Sequence, residues 1–420
     1  MAYFSVPDLS AAPHVGLRAR VLAAAALLMV GFSMVASAEE RIGARIADIS
    51  LEGLRKTREE VVYSLLDVEV GDPVTVGLFR TIEESLIDSD LFAGVQVSGR
   101  PVGEDEIEVV IVLDEKWTLI PIPFFSTNGS TYQGGMILIE TNLLGRNKQL
   151  ISAGFLGTDG VRGFVAYGDP ALFGSNWTGG LSAGAGRNDE ERLLPDGTEL
   201  RSYEYNQQRL GVNLGYNFTR RARISGGLGY ERWEIISGES LQDTQFLEPS
   251  LTATYDGTRP FDVLRIGPQV RVNGRAVTYR SGWEVAARGE WAFPIAGTHR
   301  VRLVGSGAIG EMPLVAEQVI SGDGYRTLPF QAVSADSWGS TSAVYDVPIV
   351  SAGWGALVLS HFWELGAYTN DDVDPRVFYG PGGGFRVYIR QVAIPALGLD
   401  VAYNMPDDGI VFSFSLGAQM

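Results

Sequence analysis

Few residues of this chain have both the type and the spacing that catalytic chemistry needs. The chain contains no cysteine, and His299 and His361 are the only histidines after residue 38. Neither histidine has the Cys, His or carboxylate neighbours at the spacing that a metal site requires. We therefore expect no metal, no cofactor and no enzymatic activity.

Two glycine motifs have the spacing of nucleotide or nucleophile turns but not the expected surroundings. Residues 305–310 (GSGAIG) spell G-x-G-x-x-G, yet no helix follows and no βαβ unit surrounds them. Residues 180–184 (GLSAG) spell G-x-S-x-G, but they lie within an alternating strand and not at a strand-to-helix turn. A barrel hydrolase that pairs Ser182 or another serine with one of the histidines remains an alternative.

The elements that position every side chain from residue 118 onward are short strands with alternating polarity. The segment 283–291 (WEVAARGEW) has apolar or small residues at odd positions, with tryptophan at both ends, and two carboxylates and a guanidinium at even positions. Side chains alternate between the two faces of a strand, so one face suits lipid and the other a wet lumen. A soluble sandwich also alternates, but the pattern favours a transmembrane β-barrel.

The spacing of these segments predicts a mainly β fold with a 16-stranded antiparallel barrel. The longest stretch without a predicted strand is 310–340, and a loop of that length in a compact barrel is functional or disordered. Predicted strands lie near residues 118–126, 132–141, 148–156, 160–168, 177–187, 205–217, 222–233, 245–255, 263–273, 276–293, 299–309, 341–349, 352–363, 382–391, 396–404 and 410–419.

The N-terminus has the pattern of an export signal. Arg18 and Arg20 precede the apolar run 21–30, and Ala36-Ser37-Ala38 follows as a cleavage site. We expect residues 1–38 to be a signal peptide in an exported bacterial protein, and the absence of cysteine agrees with an oxidising compartment. The formal net charge is −17, with 19 acidic and 7 basic residues in 39–115. That balance argues against nucleic-acid binding.

Residues 39–116 have a different pattern and predict a small β-α-α-β-β domain. Strands are expected at 42–51, 92–97 and 107–113, and helices at 58–66 and 76–87, with Thr57 and Glu60 as a capping box. The order, and segments such as "ISLEGLRKTREEVV" and "ESLIDSDLFAGVQV", resemble a POTRA (polypeptide-transport-associated) domain. An unrelated small α/β domain is the alternative.

The segment 117–420 resembles the barrels of the BamA/TamA-type superfamily of outer-membrane protein assembly and translocation factors. The likeness rests on "IETNLLGRNKQL" (139–150), "YGDPALFGSNW" (167–177), "VYDVPIVSAGWGALVLSHFWELGAY" (344–368) and "FYGPGGGFRVYIRQVAIPALGLDVAYN" (378–404). It implies an outer-membrane barrel with a periplasmic POTRA domain that inserts, assembles or translocates other proteins.

The resemblance also implies a lock between a loop and the lumen wall. In this family the arginine of a V-R-G-F/Y motif pairs with the acid of an F-x-D-x-G motif. The expected pair here is Arg326 with Glu364, since a guanidinium fork in a partly dry lumen needs a planar anion. A solvated lumen arginine is the alternative. The literal V-R-G-F copy at 161–164 lies in an early strand and is interpreted as coincidence. The lock also includes Gly324, Tyr325 and Phe330 on the loop and Phe362 and Gly366 on the strand.

The family likeness further implies a weak seam between the first and last barrel strands. Pro121 and Pro123 lie in the first, and Phe412 and Phe414 in the last. Prolines lack the N–H that strand pairing needs. The implied partners are unfolded outer-membrane or secreted proteins, the lipid bilayer and lipopolysaccharide, and periplasmic chaperones or accessory subunits. A secretion pore for a dedicated partner protein, or a passive or structural barrel, are the alternative functions.

Overall fold

The computed structural model describes most of the chain after residue 40. The described residues are 41–128, 131–158, 160–193, 199–238, 242–313, 316, 318–320, 326–328, 333–370, 373–391 and 396–416. The predicted signal peptide lies outside them. Among the described residues, no helix is long and apolar enough to cross a membrane.

The N-terminal part has the predicted β-α-α-β-β order. Its elements are β1 (Arg45–Glu52), α1 (Glu59–Leu65), α2 (Leu78–Ile87), β2 (Phe92–Pro101) and β3 (Glu106–Glu115). The three strands form one sheet in the order β1-β3-β2, with β1 parallel to the central strand β3. In β3 Ile107, Val109, Ile111 and Leu113 are buried at every second position, as a covered sheet face requires, and Val110 is buried as well.

The predicted capping box at the start of α1 is wrong. The N-cap residue is Arg58, which makes no side-chain cap hydrogen bond. The amides of Arg55, Lys56 and Thr57 bond instead to the carboxylate of Glu115, at 3.1, 2.9 and 2.7 Å. A carboxylate from a different element thus replaces the local cap that the sequence suggested.

The C-terminal part is a closed antiparallel barrel in which each strand pairs with its neighbours in chain order and the last strand borders the first. In the described part of the chain the barrel contains seventeen strands, of which the ninth has only three residues. The other sixteen agree with the predicted number. They are β4 (Leu119–Asn128), β5 (Thr131–Leu143), β6 (Lys148–Gly157), β7 (Gly160–Asp169), β8 (Trp177–Leu193), β9 (Glu199–Asn217), β10 (Ala222–Gly238), β11 (Thr244–Asp256), β12 (Arg259–Phe261), β13 (Leu264–Ala276), β14 (Trp283–Pro294), β15 (Arg300–Glu311), β18 (Ser337–Ala352), β19 (Gly355–Asn370), β20 (Val373–Ile389), β21 (Ala396–Asn404) and β22 (Gly409–Leu416).

The strands of the barrel have an apolar outer face and a charged inner face. In β14 the side chains of Trp283, Val285 and Trp291 are 45, 43 and 63% exposed, whereas Glu284 is 5% exposed. These four residues thus face the sides that their parity predicts. The outer face carries the large apolar side chains that a soluble protein would bury.

Several strands are longer than predicted. β9 begins at Glu199, β19 continues to Asn370 and β20 begins at Val373, where the sequence left 364–381 without a strand. The long stretch between β15 and β18 contains two short strands that pair with each other, β16 (Gln318–Ile320) and β17 (Val333–Ala335). We call the chain from residue 312 to 336 the long loop.

The structure divides into two compact units. Among the described residues, the smaller contains 41–52, Val68–Glu83 and Gln96–Val112, and the larger contains Gly53–Asp67, Glu84–Val95 and those from Leu113 onward. The domain boundary at 116/117 stays a prediction.

Candidate functional site

The inner face of β19 carries the predicted strand motif. Phe362 and Glu364 are 5% and 1% exposed, while Trp363 and Leu365 on the outer face are 51% and 50% exposed. Gly366 is also buried. The alternation of the strand therefore places all three motif residues on the lumen side.

Arg326 of the long loop lies against this wall. Its side chain is buried, and its guanidinium carbon lies 4.5 Å from the centre of the Phe362 ring, a cation–π distance. Its Nε lies 3.5 Å from Oδ2 of Asp400 on β21. Arg386 of β20 donates to both oxygens of the same carboxylate, at 3.1 and 2.7 Å. Asp400 is thus a buried anion shared by two guanidinium groups.

Glu364 binds the loop through Thr327. The backbone N–H and the hydroxyl of Thr327 donate to Oε2 of Glu364, at 2.9 and 2.5 Å. Thr327 is fully buried. The structure therefore brings Arg326 and Glu364 into one cluster, but it differs from the expected fork because the guanidinium faces Asp400. The hydroxyl that Glu364 accepts from is that of Thr327, the residue after Arg326.

An apolar contact secures the next loop residue. Leu328 is 4% exposed and packs in a buried cluster with Ala335 of β17, Tyr368 of β19 and Phe378 of β20. We call the assembled group the lumen cluster. It consists of Arg326, Thr327, Leu328, Phe362, Glu364, Phe378, Arg386 and Asp400.

Two glycines of the wall make room for the aromatic rings of the lumen cluster. A Cβ at Gly366 would overlap the ring of Phe378, and a Cβ at Gly382 would overlap the ring of Phe362. Gly366, the glycine of the strand motif, thus leaves room for the Phe378 ring of the neighbouring strand. Gly382 leaves room for the Phe362 ring, which stacks on Arg326.

The remaining residues of the predicted lock lie on the long loop. Gly324, Tyr325 and Phe330 fall outside the described residues. The literal V-R-G-F copy lies in β7, where Arg162 contacts Oδ1 of Asn188 on β8 at 3.4 Å. Its interpretation as coincidence stays a prediction.

Asp400, Arg386 and Thr327 were missing from the sequence-based site. Arg386 and Asp400 both lie on inward positions of their strands, opposite Gly398 and Gly384. A single charged residue at an inward position between apolar neighbours was a signal that could have marked both as lumen residues. It could not have shown which loop residue they meet.

The predicted seam lies between β4 and β22. The amide of Thr141 on β5 donates to the carbonyl of Thr118, just before β4, at 3.0 Å. Bonded and non-bonded positions alternate along an antiparallel strand, and no shift interrupts the β4–β5 register. Pro121 and Pro123, at odd offsets from Thr118, therefore direct their backbone nitrogens away from β5. Both prolines remove donors from the edge that borders β22.

The two aromatic residues predicted on the other side of the seam belong to β22. Phe412 pairs with Val401 of β21 and is 70% exposed, and Phe414 pairs with Leu399 through its backbone. The Phe412 ring thus lies on the outer face of the barrel next to the seam.

The residues considered for catalysis do not assemble into a site. His299 Nδ1 lies 2.7 Å from the Tyr345 hydroxyl on the outer face, and His361 pairs across strands with the same tyrosine. Ser182 lies within β8. No group of three or more His, Asp or Glu side chains that could hold a metal occurs among the described residues.

Comparisons with known proteins agree with this two-part architecture. Residues 44–116 match a family model described as "POTRA: Surface antigen variable number repeat". No curated protein matches the chain. Solved structures with the same fold include CdiB from Escherichia coli (TM-score 0.62, 11% identity, 90% of this chain and 75% of that one). CdiB from Acinetobacter baumannii matches with a TM-score of 0.60 and 15% identity, over 89% of this chain and 74% of that one. BamA from Haemophilus ducreyi lacking POTRA domains 1–3 matches with a TM-score of 0.56 and 15% identity, over 88% of this chain and 84% of that one.

Proposed function

We propose that this chain, which carries a POTRA domain and a barrel with the fold of BamA and CdiB, is an outer-membrane factor that inserts or assembles other proteins. The POTRA domain would lie in the periplasm. The proposal includes no enzymatic step and no cofactor. The main support for the proposal is that Pro121 and Pro123 remove two N–H donors from the edge of β4 that faces β22.

The outer face of the barrel supports a place in the membrane. Large apolar side chains cover it on every side, for example Leu181 on β8, Leu251 on β11 and Trp291 on β14, which are 61 to 63% exposed. Lipid would cover this surface, whereas water would leave it as a large apolar patch. Closure of the barrel lets the backbone groups away from the two seam prolines pair between strands, as the bilayer core requires.

A weak seam gives a physical route for insertion. If β4 and β22 separate, each exposes a row of backbone donors and acceptors on which a client strand can pair. The client would then enter lipid with its backbone bonds already made. Pro121 and Pro123 lower the free energy of separating the seam because two donors are absent from one edge.

The lumen cluster would hold the long loop while the seam opens. Its contacts join the loop to β19, β20 and β21, the three strands that precede β22 in the barrel. A fixed loop on these strands would keep this part of the wall intact, so that opening is confined to the seam. Holding the loop is the role that the sequence analysis gave to the predicted lock. In this proposal Asp400, and not Glu364, is the partner of the Arg326 guanidinium.

The POTRA domain would receive the clients. Its sheet has β1 and β2 as edges, and an unfolded client can add a strand to a sheet edge. The clients would be unfolded outer-membrane or secreted proteins, with periplasmic chaperones or accessory subunits as further partners. The barrel itself would contact the bilayer and lipopolysaccharide.

A secretion pore for a dedicated partner protein is the second candidate. The fold leaves this candidate open, because the likeness to the two CdiB structures, with TM-scores of 0.60 and 0.62, and to BamA, with 0.56, is one of barrel fold alone. A passive channel would not need a POTRA domain. Depletion of the protein separates the candidates: loss of many outer-membrane proteins supports insertion, loss of one secreted protein supports secretion, and an unchanged proteome contradicts both.

The seam can be tested directly in vesicles that contain the purified protein and an unfolded barrel client. The double variant Pro121→Val and Pro123→Val restores two donors, which we expect to stabilise the closed seam by about 2 kcal/mol and to slow insertion about thirty-fold. Pro249→Val, in β11 away from the seam, is the matched control and should leave insertion unchanged. Equal rates for the double variant and the native protein would refute the seam mechanism.

A further inference from the structure

The connection between β11 and β13, which contains the three-residue strand β12 paired with the start of β13, is a compact, internally bonded segment. We call residues 256–264 the strap. Oδ1 of Asp256 accepts hydrogen bonds from the amide and the hydroxyl of Thr258, at 2.9 and 2.6 Å. Arg265 Nε donates to the same hydroxyl at 2.9 Å, and the amide of Gly257 donates to the carbonyl of Pro268 at 2.8 Å. These bonds hold the strap in one shape, so it can move as a unit.

The strap makes its apolar contacts with distant strands of the barrel. Leu264 is 2% exposed and packs in one buried cluster with Ala356 and Val358 of β19 and Tyr388 of β20. Phe261 and Val263 of the strap pack against the same cluster. In the barrel order, β14, β15 and β18 separate β13 from β19. A contact that skips three strands on the inner face must cross the lumen.

The strap lies at the mouth of the barrel where β4 begins. Strands run in alternate directions, so the β11–β13, β18–β19 and β20–β21 connections all lie at the end from which β4 starts. We call this end the first mouth. Ala356 comes directly after the β18–β19 turn, and Tyr388 lies just before the β20–β21 turn. The strap therefore covers this mouth and no other.

One polar contact fastens the strap to the far wall, and a second holds Arg265, the β13 residue that follows the strap, to Arg300 of β15. Asp262 Oδ1 lies 2.5 Å from Arg390 Nη2, with the two side chains 27% and 37% exposed. Arg300 Nη1 donates to the carbonyl of Arg265 at 2.6 Å. Arg300 is in turn held by Asp346, at 2.8 Å from Nε to Oδ2. The first contact is half-exposed and screened by water, so its loss costs little.

From these contacts we infer that the strap is a closure of the first mouth that releases as a unit while the barrel stays folded. Its internal bonds remain when it leaves, because they join residues of the strap and the start of β13. What breaks is the Asp262–Arg390 pair and the apolar contact with β19 and β20. The inference rests on the barrel alone and does not depend on the proposed function.

Because the chain has no cysteine, a single introduced thiol reports this release. Ala356→Cys places a thiol under the strap, at a position that is fully buried. Ala335→Cys places a thiol on the long loop, at a position that is 2% exposed and packs with Leu328. A maleimide reagent added to the folded protein in detergent reacts with each thiol only after local opening.

Loosening the strap should accelerate the first reaction and not the second. In Asp262→Asn or Arg390→Gln we expect Ala356→Cys to react about 1.5- to 5-fold faster, the change expected for a half-exposed ion pair. Leu264→Ala should accelerate it about ten-fold or more. The exchanged pair Asp262→Arg with Arg390→Asp should return the rate towards that of the native pair. Glu204→Gln, which breaks a half-exposed pair with Arg187 on β8 and β9, is the control.

Two results would overturn the inference. Unchanged reactivity of Ala356→Cys in all three loosening variants would show that the strap does not close this mouth. Equal acceleration at Ala356→Cys and Ala335→Cys would show that the barrel opens as a whole. A faster reaction at the first position alone supports release of the strap.

Discussion

Asp400 is the residue on which the attachment of the long loop depends, and Asp400→Asn is the sharpest test of the lumen cluster. The change keeps the size of the side chain and removes its charge. In the closed state Arg326 then loses the anion that lies 3.5 Å from its Nε. Arg386 loses its two charged acceptors at the same time.

The expected magnitude follows from which group can leave the site. Arg386 belongs to the wall, so it faces the altered side chain whether the loop is bound or free. Only Arg326 gains water when the loop leaves, and one charge-assisted contact contributes about 2 kcal/mol, or about thirty-fold in the opening equilibrium. Glu364→Gln keeps an amide oxygen that can accept from Thr327. We expect that variant to cost about 1 kcal/mol, or about five-fold.

The assay is maleimide labelling of Ala335→Cys, a position of the long loop that is buried with Leu328 against Tyr368 and Phe378 while the loop is bound. Labelling through transient opening is proportional to the open population when closing is faster than reaction. The matched control is Asp169→Asn, which removes another buried carboxylate, paired with Lys148 at 2.8 Å on β6 and β7. Ala356→Cys, under the strap, should be unaffected by Asp400→Asn.

The relative labelling rates of Asp400→Asn and Glu364→Gln show which carboxylate holds the Arg326 guanidinium. If Glu364→Gln accelerates labelling as much as Asp400→Asn or more, the guanidinium is held by Glu364 and the assignment to Asp400 is wrong. If neither variant differs from the Asp169→Asn control, the charges of the lumen cluster do not hold the loop.

Two further predictions concern the packing of the wall and the POTRA domain. Gly382→Ala should push the ring of Phe362 away from Arg326 and destabilise the bound loop by about 1–3 kcal/mol, measured by the same labelling, whereas Gly305→Ala, where a Cβ meets nothing within 4 Å, should have no effect. For Glu115, desolvation raises the pKa, but the hydrogen bonds from Thr57, Lys56 and Arg55 outweigh it and lower the pKa below its ordinary value of 4.5. The stabilisation is therefore present above pH 4.5 and is lost as the pH falls through the lowered pKa. Glu115→Gln should speed amide exchange of residues 55–57 at pH 7, and the difference from the native protein should vanish in acid. A difference that persists in acid would contradict the role of the charge.

Local patterns were enough to predict most of the architecture. Alternation with a period of two marked the strands and showed which side chain faces lipid, as the exposed Trp283 and the buried Glu284 illustrate. Helical spacing showed the two helices of the POTRA domain. Alternation also placed Phe362, Glu364 and Gly366 on one face of β19. These properties depend only on neighbours along the chain, so they can be inferred without a fold.

Only the tertiary structure decided which groups meet. Asp400 faces Arg326 because β19, β20 and β21 lie side by side in a fixed register, and Leu264 meets Tyr388 because the strap crosses the lumen. Residues at these contacts are separated by many positions, and neither the hydrophobic period nor the turn chemistry encodes how far a loop reaches. The sequence determined the two faces of each strand, and closure of the barrel determined the partners, because inward side chains from distant strands converge only when the sheet closes on itself.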